Sequence, residues 1–323
     1  MNLTDYQRLI DRLGENAGRT RLELQTGHSA DFYSGSGRTR FHIENVEWIP
    51  RLLKIVLACT GLLGHARRNT LAYKTVLTTH HFQNLPKAFD GFKILQLSDL
   101  HLDGILDGGE TLCSRIEALD YDLCVMTGDF RFLTVHDYDA PLPVLQKVME
   151  SISCEFGTLA ILGNHDFLEM VPGIEELGIR VLLNENAVFR KGGQEIAICG
   201  VDDPHYYGSD DLSKSLLKTE HLPWKLLLCH SPELYEEAAE LFDLYLCGHT
   251  HAGQICLPGS IAIISNAACP RRFIRGHWHH GKMKGYTSRG TGSSGLAARL
   301  FCPPEITLHE LRTTPKSDQG ETQ

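Results

Sequence analysis

Residues 241–254 read "LFDLYLCGHTHAGQ". An apolar run of strand length ends at Cys247, and His249 and His251 follow between Gly248 and Gly253. Imidazole is a poor core filler, so a strand that closes on two of them is presenting them to something. This stretch decides the fold because four other segments end in the same manner. "FKILQLSDLH" (92–101) closes on Asp99 and His101, and "YDLCVMTGD" (121–129) closes on Asp129. "TLAILGNHD" (158–166) closes on Asn164, His165 and Asp166, and "KLLLCHS" (225–231) closes on His230.

Further strand-length runs lie at 195–203, 260–265 ("SIAIIS"), 285–290 and 305–311. Helix-like stretches separate the runs at 108–119, 144–152 and 231–241. Apolar strands alternating with helices predict an α/β fold whose sheet faces are covered by helices. In such folds the ligand crevice lies outside the carboxyl ends of the strands. Five sequence-distant segments would therefore deliver carboxylate, imidazole and amide to one crevice. Residues two apart on an extended segment point the same way, which would let Asp99 and His101 act on one ion and bring His249 and His251 to one site.

Asp99, His101, Asp129, Asn164, His230, His249 and His251 are seven candidate ligands, too many for one ion. With Asp129 shared, each of two ions receives about four protein ligands, which leaves room for a hydroxide between ions roughly 3.5–4 Å apart. Imidazole with carboxylate and one amide oxygen suits manganese first, or zinc or iron(II), more than calcium or magnesium.

The chain has 323 residues and a net charge of −9, with no general basic field for gripping nucleic acid. The charge is uneven: residues 1–80 carry 11 Lys+Arg against 7 Asp+Glu. Ten cysteines without a Cys-x-x-Cys pair, several in apolar runs, read as reduced packing residues and point to a cytoplasmic location. The N-terminus lacks a signal-peptide pattern.

Residues 48–69 are too short for a membrane span, which needs about 20 apolar residues. They read as a core-packing helix or as an interfacial helix with Arg51, Lys54, Arg67 and Arg68 at an anionic membrane's inner face. The expected organisation is a helical and loop extension over 1–89 with a flexible "SGSGR" at 34–38. A catalytic domain follows over 90–312, and then a disordered tail over 313–323. "GTGSSG" (290–295) reads as a loop near the site, "RGHWHHG" (275–281) as a solvated loop, and Arg131 and Arg289 as substrate contacts.

These motifs, in this order, resemble the calcineurin-like metallophosphoesterase superfamily, whose signatures run D-x-H, G-D, G-N-H-[DE], H and G-H-x-H. "GHTHAGQICLP" and "SRGTGSSGLAARLFCPPEI" look like its YkuE/YaeI-like bacterial phosphodiesterase group. The resemblance implies a four-layer αββα sandwich of two mixed sheets flanked by helices. It implies one ion held by Asp99, His101, Asp129 and His251, and a second held by Asp129, Asn164, His230 and His249. His165 would face the phosphate and Asp166 would orient it. The implied reaction is hydrolysis of a phosphodiester or pyrophosphate, here with a lipid-linked substrate in view. Hydrolysis of UDP-2,3-diacylglucosamine stays open, although that branch usually has arginine at the His165 position. A phosphomonoesterase and an inactive scaffold of the same fold also stay open.

Overall fold

The computed structural model describes residues 3–26, 35–39, 42, 46, 48–134 and 138–314. Its strands are β1 (Lys74–Phe82), β2 (Lys93–Leu97), β3 (Leu123–Thr127), β4 (Thr158–Ile161), β5 (Ile179–Val181), β6 (Glu185–Lys191), β7 (Gln194–Gly200), β8 (Lys225–Leu228), β9 (Leu244–Cys247), β10 (Cys256–Leu257), β11 (Ile261–Ala262), β12 (Gly276–His280), β13 (Met283–Thr287) and β14 (Glu305–Thr313). One six-stranded sheet runs β1-β14-β2-β3-β4-β5, and another runs β12-β13-β9-β8-β7-β6. Both are mixed: β2, β3, β4 and β5 pair in parallel, as do β7, β8, β9 and β13, while β14–β2, β6–β7 and β12–β13 are antiparallel.

Successive residues of a strand face opposite sides of its sheet. In β2, Ile94 joins a core with Val125 and Ile161 from its own sheet and with Ile198, Leu226 and Leu246 from the other. Leu95 and Leu97 turn the other way, onto Leu112 and Ile116 of α5 (Glu110–Glu117) and Leu145 and Val148 of α6 (Leu142–Glu150). The far face of the second sheet packs Cys199, Leu227 and Tyr245 against Leu234, Ala238 and Phe273. Three apolar cores between four layers, two of sheet and two of helix and loop, give the expected αββα sandwich. Because both faces of each sheet are covered, the central strands are mostly apolar, as parallel sheets require. The ten cysteines are all free.

The extension behaves differently from the expectation. Its last part, 74–82, is strand β1, paired in parallel with β14 over the full nine residues. Its first helices, α1 (Leu3–Leu13) and α2 (Glu15–Thr26), dock on the body: Leu9 and Leu13 join the same core as Leu95 and Leu97, and Arg12 pairs with Glu175 at 2.9 Å. Arg21 is fully buried, pairs with Asp202 at 2.9 Å and donates to the Asp166 carbonyl at 2.8 Å. The described residues 35–38 of "SGSGR" are pinned by backbone bonds from Ser36 and Gly37 to Tyr206 and from Arg38 to Pro204.

"RGHWHHG" is not a loop but the edge strand β12, because Trp278 alternates inward against Phe273 and Tyr245. "SIAIIS" contributes only the two residues of β11 and leaves Ile263 and Ile264 exposed. Of the expected tail, Thr313 closes β14 and Thr314 donates to the Phe82 carbonyl at 2.9 Å; 315–323 lie outside the described residues. α3 (Trp48–Cys59) is followed by a bend and α4 (Leu63–Arg68). No single helix among the described residues is long and apolar enough to cross a membrane.

Candidate metal centre

Strands β2, β3, β4, β8 and β9 end at one edge of the sandwich, and the turns that follow them carry the seven expected ligands. Five of those seven, Asp99, His101, Asp129, His249 and His251, have positive φ, between 42° and 68°. This backbone region is costly for residues with a β-carbon and persists where the surroundings hold it. It also revises the extended-segment argument. Asp99 and His101 converge through left-handed turns, and His249 and His251 diverge into different clusters.

In the first cluster, His251 Nε2 lies 3.0 Å from His101 Nε2 and 3.4 Å from Asp99 Oδ1, with Asp129 Oδ2 3.7 Å from His101 Nε2. In the second, Asn164 Oδ1 lies 3.1 Å from both His230 Nε2 and His249 Nδ1, and Asp129 Oδ2 lies 3.2 Å from His230 Nε2. Asp129 Oδ2 therefore faces both clusters.

The outer ring nitrogens explain what the inner ones are for. His101 Nδ1 donates to the Arg131 carbonyl, His230 Nδ1 to the Thr127 carbonyl at 2.8 Å, and His249 Nε2 to the Asn266 carbonyl at 2.5 Å. A neutral imidazole that donates outward keeps its lone pair inward. Three inward lone pairs then meet Asp129 Oδ2 and Asn164 Oδ1, which are acceptors too. Such a concentration of acceptors is stable around cations, and the donor set fits two transition-metal ions.

Electrostatics agree. Burial pushes the Asp99 carboxyl up and the Asp129 carboxyl up to about 7, with His230 offsetting only part of the effect. Burial opposes protonation of His230, yet with no cation beside it the Asp129 carboxylate raises it to about 10, so a proton on Nε2 then takes the place that an ion would fill. Burial drives His101 down to about 3 and His251 well below its ordinary value. Buried ionisable groups pulled this far apart mark a site built for charge.

His165 stands at the open side. Its Nε2 is 3.8 Å from Asp129 Oδ2 and 3.5 Å from Ser294 Oγ. Asp166 does not orient it. The Asp166 carboxylate instead accepts from the backbone N–H groups of Asp129, Phe130 and Gly163 at 2.8, 2.8 and 2.9 Å. It is the clasp of the Asp129 turn, because a buried carboxylate ringed by amides is satisfied without the ring of its neighbour. Arg131 is buried with its guanidinium 4.2 Å over the Phe167 ring, and Arg289 pairs with Glu305 at 3.3 Å. Neither lines the cavity described next.

That cavity, of about 270 Å³, opens from the metal cluster. Asp129, Asn164, His165, His249 and His251 form its floor, and Ile49, Leu53, Ile255, Ile263, Ile264 and Leu296 form much of its wall. Among the described lining residues there is no lysine or arginine. "GTGSSG" comes to the site as expected: Ser294 and Gly295 line the cavity, and Gly290 sits against His251 and Asp99.

A model of the calcineurin-like phosphoesterase family matches residues 92–253. The chain belongs to the calcineurin-like phosphoesterase family. It is 32% identical over 276 residues to the uncharacterized metallophosphoesterase YkuE of Bacillus subtilis, covering 80% of this chain and 92% of that one. It is 29% identical to YkoQ of the same organism, covering 79% and 97%. It is also 29% identical to phosphodiesterase YaeI of Escherichia coli, covering 68% and 82%. This calcineurin-like chain is accordingly a metal-binding phosphoric ester hydrolase.

Several supporting residues went unread in the sequence. Gln96 Nε2 donates to Thr127 Oγ1, Thr127 Oγ1 to Ser98 Oγ, and Ser98 Oγ to Asp99 Oδ2, at 3.1, 2.7 and 2.6 Å. The carboxylate can only accept, so it fixes the direction of the whole chain. Arg299, fully buried, donates to the Gly290 and Gly292 carbonyls and lies 3.1 Å from His251 Nδ1. The His205 ring lies 3.9 Å from the His249 ring, tilted 48° to it, with Glu233 behind it at 3.2 Å. Burial works against ionisation of Glu233, yet His205 holds its carboxyl well below the usual range. The available signal was a polar residue inside an apolar strand, Gln96 in "FKILQLSD", and an arginine inside "GLAARLFC".

Proposed function

We propose that this chain hydrolyses a phosphodiester or pyrophosphate bond in a substrate that carries a lipid-like tail, with two divalent transition-metal ions, manganese first among them. The observation that supports it is the convergence of inward imidazole lone pairs on the shared Asp129, at the floor of an apolar-walled cavity. When bound, the two ions supply Lewis acidity and a water that ionises near neutral pH.

The chain's own residues do the rest. Asp99, His101, Asp129 and His251 hold one ion; Asp129, Asn164, His230 and His249 hold the other. His165 also lies close enough to Asp129 and His101 to be a ligand. Its place at the cavity suits it better to the phosphoryl group, where its imidazole steadies the developing charge or gives a proton to the leaving oxygen. The apolar wall of Ile49, Leu53, Ile255, Ile263 and Ile264 takes the tail. A diester carries one negative charge at the phosphorus and a monoester near two. With no lysine or arginine among the described lining residues, the second charge lacks a partner, which favours the diester.

The test is a panel of bis-p-nitrophenyl phosphate, p-nitrophenyl phosphate and UDP-diacylglucosamine, each with manganese and with zinc. The diester should turn over faster than the monoester, and the acylated substrate should show the lowest KM. Faster monoester turnover with both metals would overturn the diester reading. Equal KM with and without acyl chains would overturn the tail.

A further inference from the structure

We propose that α3 and the β10–β11 hairpin form one docking surface for an anionic phospholipid bilayer, set at the mouth of the metal-centre cavity. In α3 only Leu57 is buried; it anchors the helix through Ala66, Ala298 and Leu300. Trp48 is 62% exposed and Ile55 60%, with Leu52 and Val56 beside them. The hairpin and the segment after it expose Leu257, Ile261, Ile263 and Ile264. Scattered exposed apolar residues need no explanation, but two neighbouring elements with outward apolar side chains do. They are neighbours because Ile49 and Leu53 of α3 line the same cavity as Ile263 and Ile264.

Charge identifies the occupant. Residues 48–71 and 256–275, which contain both elements, hold seven Lys and Arg and no Asp or Glu, in a chain of net charge −9. Arg51 and Lys54 lie on α3, Arg67 and Arg68 on α4, and Arg271, Arg272 and Arg275 follow the hairpin. Apolar side chains ringed by basic ones match an interface of acyl chains under anionic headgroups. A second copy of the chain would bring basic residues against basic residues. α3 and α4 are bent by 118° at the break between them and neither spans a bilayer, so the fit is to a helix lying in the interface. The surface would bring a tailed substrate to the cavity from the bilayer side, and to that extent it rests on the proposed tail.

The experiment mixes the full chain with phosphatidylcholine vesicles, with and without phosphatidylglycerol, and reads flotation and tryptophan emission. Trp224 and Trp278 are buried, so a blue shift on mixing reports Trp48. Expected is binding that depends on phosphatidylglycerol and weakens with salt. It should fall roughly tenfold in Trp48→Ser/Ile55→Ser and again in Leu257→Ser/Ile261→Ser. Arg51→Glu/Lys54→Glu should remove only the phosphatidylglycerol-dependent part. All three should hydrolyse bis-p-nitrophenyl phosphate like the parent chain, which shows that they fold. Absent binding, or binding unchanged in the variants, overturns the surface. So does a dimer that the serine variants dissociate without any vesicle binding. Asp129→Asn separates the two readings, because a chain without hydrolysis should still float with the vesicles.

Discussion

At the scale of single residues, Asp129 and His165 lie close together and are expected to do different work. Asp129 Oδ2 faces both clusters, so Asp129→Asn is expected to remove a charge from both proposed ion sites at once. Metal analysis after dialysis should show both equivalents weakened, whereas His251→Ala should lose the ion of the first cluster alone. His165→Ala should keep both equivalents and lower kcat by ~10²–10⁴-fold, the range for a lost general acid or base. Lost metal in that variant would make His165 a ligand. Asp166 marks a role that pattern alone misassigns. Its place beside His165 in "GNHD" suggests a partner for the ring, but its carboxylate closes on four backbone amides of the neighbouring turns. A motif records adjacency along the chain, while hydrogen-bond partners are set by how the turns stack.

At the scale of elements, the strand-end turns are packed so closely that one glycine decides their geometry. A β-carbon at Gly248 would overlap Ser98 Oγ and Asp99 Oδ2, the last link of the chain that aims Asp99. Gly248→Ala should cost ~1–3 kcal/mol of stability through overpacking and weaken the ion of the first cluster most. Gly64→Ala, in α4, meets only Arg68 Nη1 at 3.8 Å and should instead stabilise by roughly 0.5–1 kcal/mol. Chemical denaturation of the metal-free variants and metal titration check both; equal effects would dismiss the packing argument. The strand ends were legible because each couples two signals, an apolar run and a ligand-type side chain. Strand β1 was not legible. In "KTVLTTHHF" the residues buried on one face include Thr78 and His80, which do not read as apolar, and the pairing partner lies more than two hundred residues away. The β10–β11 segment misled in the opposite way: "SIAIIS" has strand composition, but its isoleucines face outward at the cavity mouth.

At the scale of the whole molecule, the inter-sheet core carries an unusual polar seam. Its central strands fill with aliphatic residues, but where β1 and β14 join the first sheet the space holds His80 and His309. His80 Nε2 donates to His309 Nδ1 at 3.0 Å, and His309 Nε2 donates to Gln96 Oε1 at 2.9 Å. The directions are forced from the metal centre outward. Gln96 uses its amide N–H groups on Thr127 and the Cys247 carbonyl, so only its oxygen faces His309 and His309 Nε2 must donate; with His309 neutral, its Nδ1 then accepts from His80 Nε2. Burial pushes His80 down to about 3, with His277, Lys284 and His81 adding positive charge nearby, and it pushes His309 well below its ordinary value too. A histidine whose pKa is lower in the folded state than the ordinary value of about 6.5 takes up its proton on unfolding. Its stabilising contribution is present above that ordinary value and is lost as pH falls from there toward the folded one. Each histidine therefore steepens the loss of stability by up to about 1.4 kcal/mol per pH unit across that window. His309→Gln keeps both hydrogen bonds and removes one of the two protons. In urea unfolding at a series of pH values between about 6.5 and 4, with a chelator so that the ligand histidines contribute equally, the variant's stability should fall less steeply by about that amount. An unchanged slope would mean that His309 is already protonated in the folded chain. The bond between the two rings would then run the other way, from His309 Nδ1 to His80 Nε2.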